Sequence, residues 1–395
     1  MGFSIIGSLV LLSLNSKLSG AWVHESAAQH SVVSHDRIAT LNQRIENGTV
    51  NLTFQPISGY LGSVLEKLDI MVESQVAVFS KTSFQAKLIS TENPRALYFT
   101  DDIVIGWVRG SPLLEAAAIE PGKGVVFYTL DQSLVEKPHF QRSDSCLSCH
   151  QSQRTQGVPG LFVLSSRPSV GSSEVDSNGV VSDQRTPLTE RWGGWYVSGR
   201  SNRFRHLGNR IGQGWLESLY DQFHTSGYPT EYSDIVALMV LEHQTQMSNV
   251  ISRLNLETRS ADGLAAPSRE TVSSLVDYLL FVDEAPLPSR IIGTSGFTEK
   301  FANLGPRDRK GRSLRQFDLN HRLLKFPCSY MIYSDAFNAL PSVAKDAIYA
   351  RIWQILSGGE RQPRYAHLSK TDRQAVLEIL RDTKNDLPRY FRRLS

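Results

Sequence analysis

The pattern of hydrophobic and polar residues changes along the chain, and its front half predicts β structure. Between Gln75 and Leu130, short runs of β-branched and aromatic residues are separated by turn signals such as Asn93-Pro94 and Pro121-Gly122. The runs predict four strands of an antiparallel meander, at Gln75–Phe79, Ala96–Phe99, Ile103–Val108 and Gly124–Tyr128.

From Gly212 onward, the apolar residues recur instead with helical spacing. Most of these segments begin at a Ser or Thr, which are residues suited to cap a helix N-terminus. Five helices are predicted, at Trp215–Phe223, Ser233–Thr258, Ser268–Phe281, Ser342–Leu356 and Thr371–Thr383, with Ser233, Ser268, Ser342 and Thr371 as candidate N-caps.

The stretch between these halves, from about Asp131 to Asn209, is rich in Gly, Pro and Ser. It predicts a long exposed loop over Pro168–Thr189 and a strand over Trp192–Val197 that returns to the core. The fold class is therefore expected to be α+β, with a β-rich N-terminal half, a loop-rich middle segment and an all-α C-terminal half. The expected regions are 1–21, 22–130, 131–210 and 211–395.

The first region predicts a signal peptide. Phe3–Leu14 is a twelve-residue apolar run, which is short for a membrane span and typical of a signal-peptide core. Ser19-Gly20-Ala21 offers a small-residue cleavage site. We expect a periplasmic or secreted protein, and the alternative is a protein anchored by an uncleaved N-terminal segment.

Composition excludes some classes of protein. The 395 residues carry a formal charge of +3, and loss of residues 1–21 would remove one Lys, which leaves 3 − 1 = +2. This balance argues against nucleic-acid binding, which normally shows a dense basic patch. Three cysteines are too few for a disulfide scaffold.

The most specific motif is Cys146-Leu147-Ser148-Cys149-His150. This C-x-x-C-H spacing is the attachment signature of a c-type haem, in which two thiols become thioethers on the porphyrin and the adjacent His ligates the iron. A zinc site and a redox dithiol or disulfide are the rival interpretations. Zinc usually needs four Cys or His ligands, and the only further cysteine is Cys328. The loop-rich segment 131–210 is thus the expected haem c attachment segment.

The surrounding sequence does not match the small cytochrome c fold, in which a helix precedes the motif and a Met ligand follows within tens of residues. Here a predicted strand precedes the motif, and the next Met after His150 is Met239, on a predicted helix. The motif nevertheless resembles that of c-type cytochromes. Longer stretches resemble exported bacterial cytochrome c domain-containing proteins, a family without an assigned reaction: Val78–Ser83, Val126–Asp131, Arg191–Tyr196 and Phe326–Tyr330. The resemblance implies one haem attached to Cys146 and Cys149, with His150 as the proximal ligand.

The second axial position of the iron would separate electron transfer from catalysis. His243 is the tentative distal ligand, because it shares an apolar helical face with Met239, Val240 and Met247. The alternatives are a core histidine bonded within the protein, a surface position, Met247 as the ligand, and His206 in a loop.

Other residues carry weaker expectations. Arg185 and Arg191 could hold haem propionates, and Trp192 and Trp195 could pack on the porphyrin, unless they belong to a half-buried strand. Cys328, among aromatic residues, is expected to be a buried free thiol. The basic and aromatic tail 389–393 could contact a redox partner or a membrane surface at its periphery, or simply complement a helix C-terminus.

The expected function is electron transfer by an exported monohaem c-type cytochrome, with a redox protein as partner. The alternatives are a haem enzyme that reduces a small oxidant, such as a peroxidase-like catalyst, and a haem-bearing sensor or scaffold subunit. An enzyme would use His243 or His206 as its acid or base. The sequence alone sets neither the substrate nor the oligomeric state.

Overall fold

The largest sheet of the protein is antiparallel and has seven strands. The structure is a computed structural model that describes residues 35–166, 179–201, 205–210, 214–260 and 263–392. The strand order of this sheet is β6-β5-β4-β3-β2-β1-β9, and β7-β8 and β10-β11 form two small two-stranded sheets. The strands are β1 (Val76–Val78), β2 (Arg95–Phe99), β3 (Ile103–Trp107), β4 (Leu113–Glu120), β5 (Gly124–Asp131), β6 (Gln141–Arg142), β7 (Val163–Ser165), β8 (Val180–Ser182), β9 (Trp195–Tyr196), β10 (Arg259–Ser260) and β11 (Gly263–Leu264).

Helices pack against the sheet and are the main regular elements of the C-terminal half. They are α1 (Arg37–Glu46), α2 (Leu61–Lys67), α3 (Leu147–His150), α4 (Ile235–Thr258), α5 (Arg269–Leu279), α6 (Phe297–Ala302), α7 (Asp335–Asn338), α8 (Ser342–Leu356) and α9 (Lys370–Thr383). Residues 36–395 group into one compact unit, so the regions 22–130, 131–210 and 211–395 are largely parts of one body. The expected signal peptide lies outside the described residues.

The alternation of side chains along the strands gives the sheet two buried faces. One face packs on α1 and α2, through residues such as Tyr98, Ile105 and Tyr128. The other face is divided: near β1, β2 and β9 it packs on α4, while near β4 and β5 it packs on the Cys146–Leu161 segment. The sheet therefore holds the C-x-x-C-H motif beside the core helix α4.

The fold is α+β and is not that of a small cytochrome c. The four predicted strands are present within a few residues, and the returning strand is present as β9, which pairs with β1. Ser268 caps α5 as predicted, through a bond from the Thr271 N–H to its hydroxyl.

Several predictions were wrong. The segment Trp215–Phe223 is not helical, because its backbone bonds elsewhere: Gly199 donates to Leu216, and Leu219 donates to Glu231. Ser233 does not cap α4. Its hydroxyl bonds to Ala77 and Tyr196 in the sheet, and Asp234 caps the helix instead.

The remaining differences concern the middle and the front of the chain. Within the predicted loop Pro168–Thr189, β8 pairs with β7, and residues 167–178 lie outside the described ranges. Ser369, rather than Thr371, caps α9, and Pro341 precedes α8 at the position expected for Ser342. Strand β4 and helices α1 and α2 had no sequence prediction.

Candidate functional site

The C-x-x-C-H motif forms one helical turn against the face of the sheet at β4 and β5. A 3₁₀ turn over Asp144–Cys146 runs directly into α3, which ends at His150. Cys146 and Cys149 are three residues apart, so they lie on one face of the turn. Both are free thiols, with Cys149 exposed and Cys146 partly buried. The sequence thus presents two thiols on one side, with the imidazole directly after them.

Serine hydroxyls satisfy backbone groups at this short turn. Ser148 donates to the Ser145 carbonyl at 2.9 Å, and Ser152 donates to the Cys149 carbonyl at 2.9 Å. A four-residue helix leaves most of its end groups without helical partners, so these bonds stabilise a turn that would fray in isolation.

Apolar side chains from the sheet form the floor of the site. Ala117, Val125 and Phe127 from β4 and β5 pack against Cys146, Leu147 and Leu161. The ring of His150 lies between two aromatic rings, with centroid distances of 4.8 Å to Phe127 and 5.1 Å to Phe162. The imidazole therefore sits in an apolar environment at the rim of the protein.

The hydrogen bond of His150 determines which ring nitrogen is available. Its Nδ1 lies 2.9 Å from the Gly160 carbonyl, which can only accept, so Nδ1 carries the proton. Burial lowers the pKa of His150, which favours the neutral ring at neutral pH. Among the described residues, none bonds to Nε2. The lone pair of this nitrogen is therefore free to ligate a metal.

The environment of Cys146 favours the protonated thiol. Burial raises its pKa, whereas redox-active cysteines have lowered values. A partly buried ion pair, Arg95–Glu115, lies beside the motif, and the Arg95 side chain crosses the face of Gly106 to reach its partner. This environment is less suited to a thiolate than to a thiol that is converted to a thioether.

The residues present fit a covalently attached haem. Two thiols share one face, an imidazole nitrogen is free, and apolar rings line the site. Within the described ranges, no group of three or more His, Cys, Asp or Glu side chains could hold a metal ion.

His243, the tentative distal ligand, lies in the core of the protein with both ring nitrogens engaged. Its Nδ1 donates to Gln184 Oε1 at 2.5 Å, and its Nε2 accepts from the Ser329 hydroxyl at 2.7 Å. The ring stacks on Tyr278 and Phe281, and burial lowers its pKa to about 3. The alternative of a core histidine fits this geometry, because iron ligation would require the loss of a buried hydrogen bond.

The other distal candidates are also packed in the protein. Met247 is fully buried in the face of α4. His206 lies between the rings of Trp192 and Trp215, and burial lowers its pKa to about 4. His243 is not among the residues that contact His150.

Arg191 does not serve a propionate in this structure. It is buried and forms an ion pair with Glu242 at 3.0 Å, and it also donates to the Gln184 and Thr186 carbonyls. Arg185 pairs with Asp183 at 2.5 Å. Both arginines are thus already bonded to other groups of the protein.

The remaining aromatic residues and Cys328 are structural. Trp192 and Trp195 are buried, and the Trp195 indole donates to the Leu164 carbonyl at 2.8 Å. Cys328 is fully buried as predicted, and burial raises its pKa.

Sequence reasoning missed Gly160, Phe127 and Phe162 as neighbours of His150. Pro159-Gly160 is a turn signal ten residues after His150, yet nothing in it indicates that its carbonyl meets the imidazole. The phenylalanines come from a strand and from the loop that follows this turn, so only packing brings them together.

No helix within the described residues is long and apolar enough to cross a membrane. Comparisons with protein-family models, curated proteins and solved structures found no significant match. The geometry of the site therefore carries the functional argument.

Proposed function

We propose that this chain is an exported monohaem c-type cytochrome that transfers single electrons, with the haem linked through Cys146 and Cys149 and with His150 as the proximal ligand. One observation carries the proposal: the free Nε2 of a neutral His150 follows directly after two free thiols on one helical turn.

Each residue of the site has a separate task. Cys146 and Cys149 would hold the group covalently, and the Gly160 carbonyl keeps the proton on Nδ1 so that Nε2 remains a lone-pair donor. Phe127 and Phe162 limit the access of water to the imidazole. A haem bound there supplies a one-electron couple whose potential depends on these contacts.

Exposure of the motif favours electron transfer over catalysis. Cys149 lies at the protein surface, so an attached group would have an edge near solvent, where a redox partner protein could approach. The acid–base residue proposed for an enzyme, His243, is held by Gln184 and Ser329 in the core. Electron transfer requires no such residue.

Localisation outside the cytoplasmic membrane belongs to the same proposal. In bacteria, haem c is attached outside this membrane, and the apolar run Phe3–Leu14 provides the signal for export. The periplasm and the extracellular space both fit. An uncleaved N-terminal anchor would keep the site in the same compartment.

Covalent attachment is tested by expressing the full chain with haem c maturation machinery and staining a denaturing gel for haem. We expect stain on the wild type and on Cys328→Ala, because Cys328 is buried away from the motif. Cys146→Ala/Cys149→Ala should lose the stain. Unstained wild-type protein, or a chain that carries zinc, would contradict the proposal.

Absorption spectra separate electron transfer from oxidant reduction. A six-coordinate low-spin ferrous form that does not react with CO would favour the electron carrier. A high-spin form that binds CO would favour the enzyme.

A further inference from the structure

We propose that Asn249 is a positioning residue for His150 and acts through the Gly160-Leu161 backbone. This inference rests on the proposed function, because positioning matters here only if the Nε2 of His150 ligates iron. Asn249 lies on α4 and is 1% exposed, and nothing in the motif itself points to it.

The Asn249 amide holds both backbone groups of Leu161. Its Oδ1 accepts from the Leu161 N–H at 3.1 Å, and its Nδ2 donates to the Leu161 carbonyl at 2.7 Å. A side-chain amide that bonds both groups of one residue fixes that backbone in position and in orientation. Because α4 is a 24-residue helix packed in the core, the anchor itself is rigid.

Gly160 connects the hydrogen-bonded pair of Asn249 and Leu161 to the imidazole of His150. It donates its N–H to the His150 carbonyl at 2.8 Å, and its own carbonyl accepts from His150 Nδ1 at 2.9 Å. A Cβ at Gly160 would lie 2.1 Å from Asn249 Oδ1, so the close approach of the amide depends on glycine. Displacement of Leu161 would therefore move the carbonyl that fixes the tautomer of His150.

The consequence for the site is electronic as well as geometric. A carbonyl that accepts from Nδ1–H raises the basicity of Nε2 and holds the ring in one orientation. Asn249 thus sets how strongly and in which direction His150 can donate to a metal, although it touches neither thiol nor the imidazole.

A second buried asparagine on α4 provides a matched control. Asn255 Nδ2 donates to the Gly122 carbonyl at 2.7 Å, and Gly122 is not a neighbour of His150. Asn249→Leu removes two hydrogen bonds between this helix and a loop, and Asn255→Leu removes one. If the positioning role is correct, only Asn249→Leu should change the tautomer of His150.

The test uses nitrogen-15 NMR of histidine-labelled full chain made without haem maturation. The wild type should show His150 as the Nδ1–H form. Asn249→Leu should shift the ratio of the two tautomers roughly tenfold toward the Nε2–H form, as expected for the loss of one hydrogen bond. Asn255→Leu should leave this ratio unchanged.

Gly160→Ala gives an independent variant, because the added methyl displaces the Asn249 amide without removing it. Gly62→Ala is its control, since a Cβ at Gly62 meets no atom within 4 Å. Gly160→Ala should reproduce the shift of Asn249→Leu, and Gly62→Ala should not.

The haem-bearing protein provides the second readout. A less basic Nε2 stabilises the ferric form less, so Asn249→Leu should raise the midpoint potential, whereas Asn255→Leu should leave it unchanged. A wild-type His150 in the Nε2–H form would overturn the inference, as would equal effects of both Leu variants. Absence of covalent haem would instead overturn the proposed function. The tautomer ratio of His150 in the haem-free chain would still test the positioning role of Asn249.

Discussion

Two neutral histidines in different regions of this protein show what makes an imidazole available to a metal. His150, at the rim, and His243, in the core helix α4, both carry the proton on Nδ1 and donate it to an amide oxygen. They differ at Nε2: Ser329 donates to that of His243, whereas no described residue bonds to that of His150.

The comparison shows that burial and an apolar helical face are insufficient signs of a ligand. His243 has the stronger apolar environment, but it belongs to a polar network that also includes Gln184, Ser329 and Tyr278. His150 is less buried and stays available because a single carbonyl satisfies it. The number of nitrogens that the protein itself satisfies decides the role.

The largest expected effect concerns the ion pair beside the His243 network. Arg191→Met leaves Glu242 fully buried and without its cation, and should lower the free energy of unfolding by about 3–5 kcal/mol. Arg364→Met is the control: its pair with Asp277 is partly exposed, and we expect a loss of about 1 kcal/mol or less. Denaturant unfolding measures both. In the proposed haem-bearing protein, an unchanged absorption spectrum in Arg191→Met would agree with the separation of Arg191 from the haem site, whereas a changed spectrum would contradict it.

The next effect sharpens the difference between the two histidines. His243→Leu leaves Gln184 and Ser329 without their buried partner, and should cost about 2–5 kcal/mol of unfolding free energy. The absorption spectrum of the proposed haem-bearing protein should not change. His150→Leu should do the reverse and alter the spectrum with less effect on stability. The exposed His321→Leu serves as a control, with an expected change within about 0.5 kcal/mol. A high-spin spectrum in His243→Leu would contradict the comparison.

A smaller effect appears in the pH dependence of stability. The pKa of His243 is lowered to about 3 in the folded state, so below the ordinary value of about 6.5 the unfolded chain binds the extra proton. Stability that is fully present above pH 6.5 is therefore lost as the pH falls. The stability difference between wild type and His243→Leu should shrink by about 2 kcal/mol between pH 6.5 and 5.

Glu284 offers a comparison of opposite sign for that experiment. Burial raises its pKa to about 7, so the folded carboxyl keeps a proton that the unfolded chain releases above about pH 4.5. Its contribution to stability is lost as the pH rises from 4.5 to 7, and Glu284→Gln should remove that loss.

The His243 prediction has its own contradicting outcome. A constant difference in unfolding free energy between wild type and His243→Leu across the acid range would mean that His243 is not buried as a neutral ring.

Local sequence patterns predicted elements where propensity and packing agree. The long helix at Ser233–Thr258 and the strand at Ile103–Val108 were predicted within two residues. Strand β4 was missed because Leu-Leu-Glu-Ala-Ala-Ala-Ile-Glu favours a helix. Tertiary pairing overrides this preference, since β4 pairs with β5 over its full length and with β3 on its other side.

The sequence by itself determined the C-x-x-C-H spacing, the apolar run that predicts export, the α+β division and the burial of His243 and Cys328. These features depend on the spacing and periodicity of residues that lie close together in the sequence. Only the tertiary structure decided which imidazole nitrogen is free. The partners of His243 lie 59 and 86 positions away, and Asn249 lies 88 positions from Leu161. A hydrogen bond across such separations depends on how the sheet packs against α4, and no local pattern specifies it.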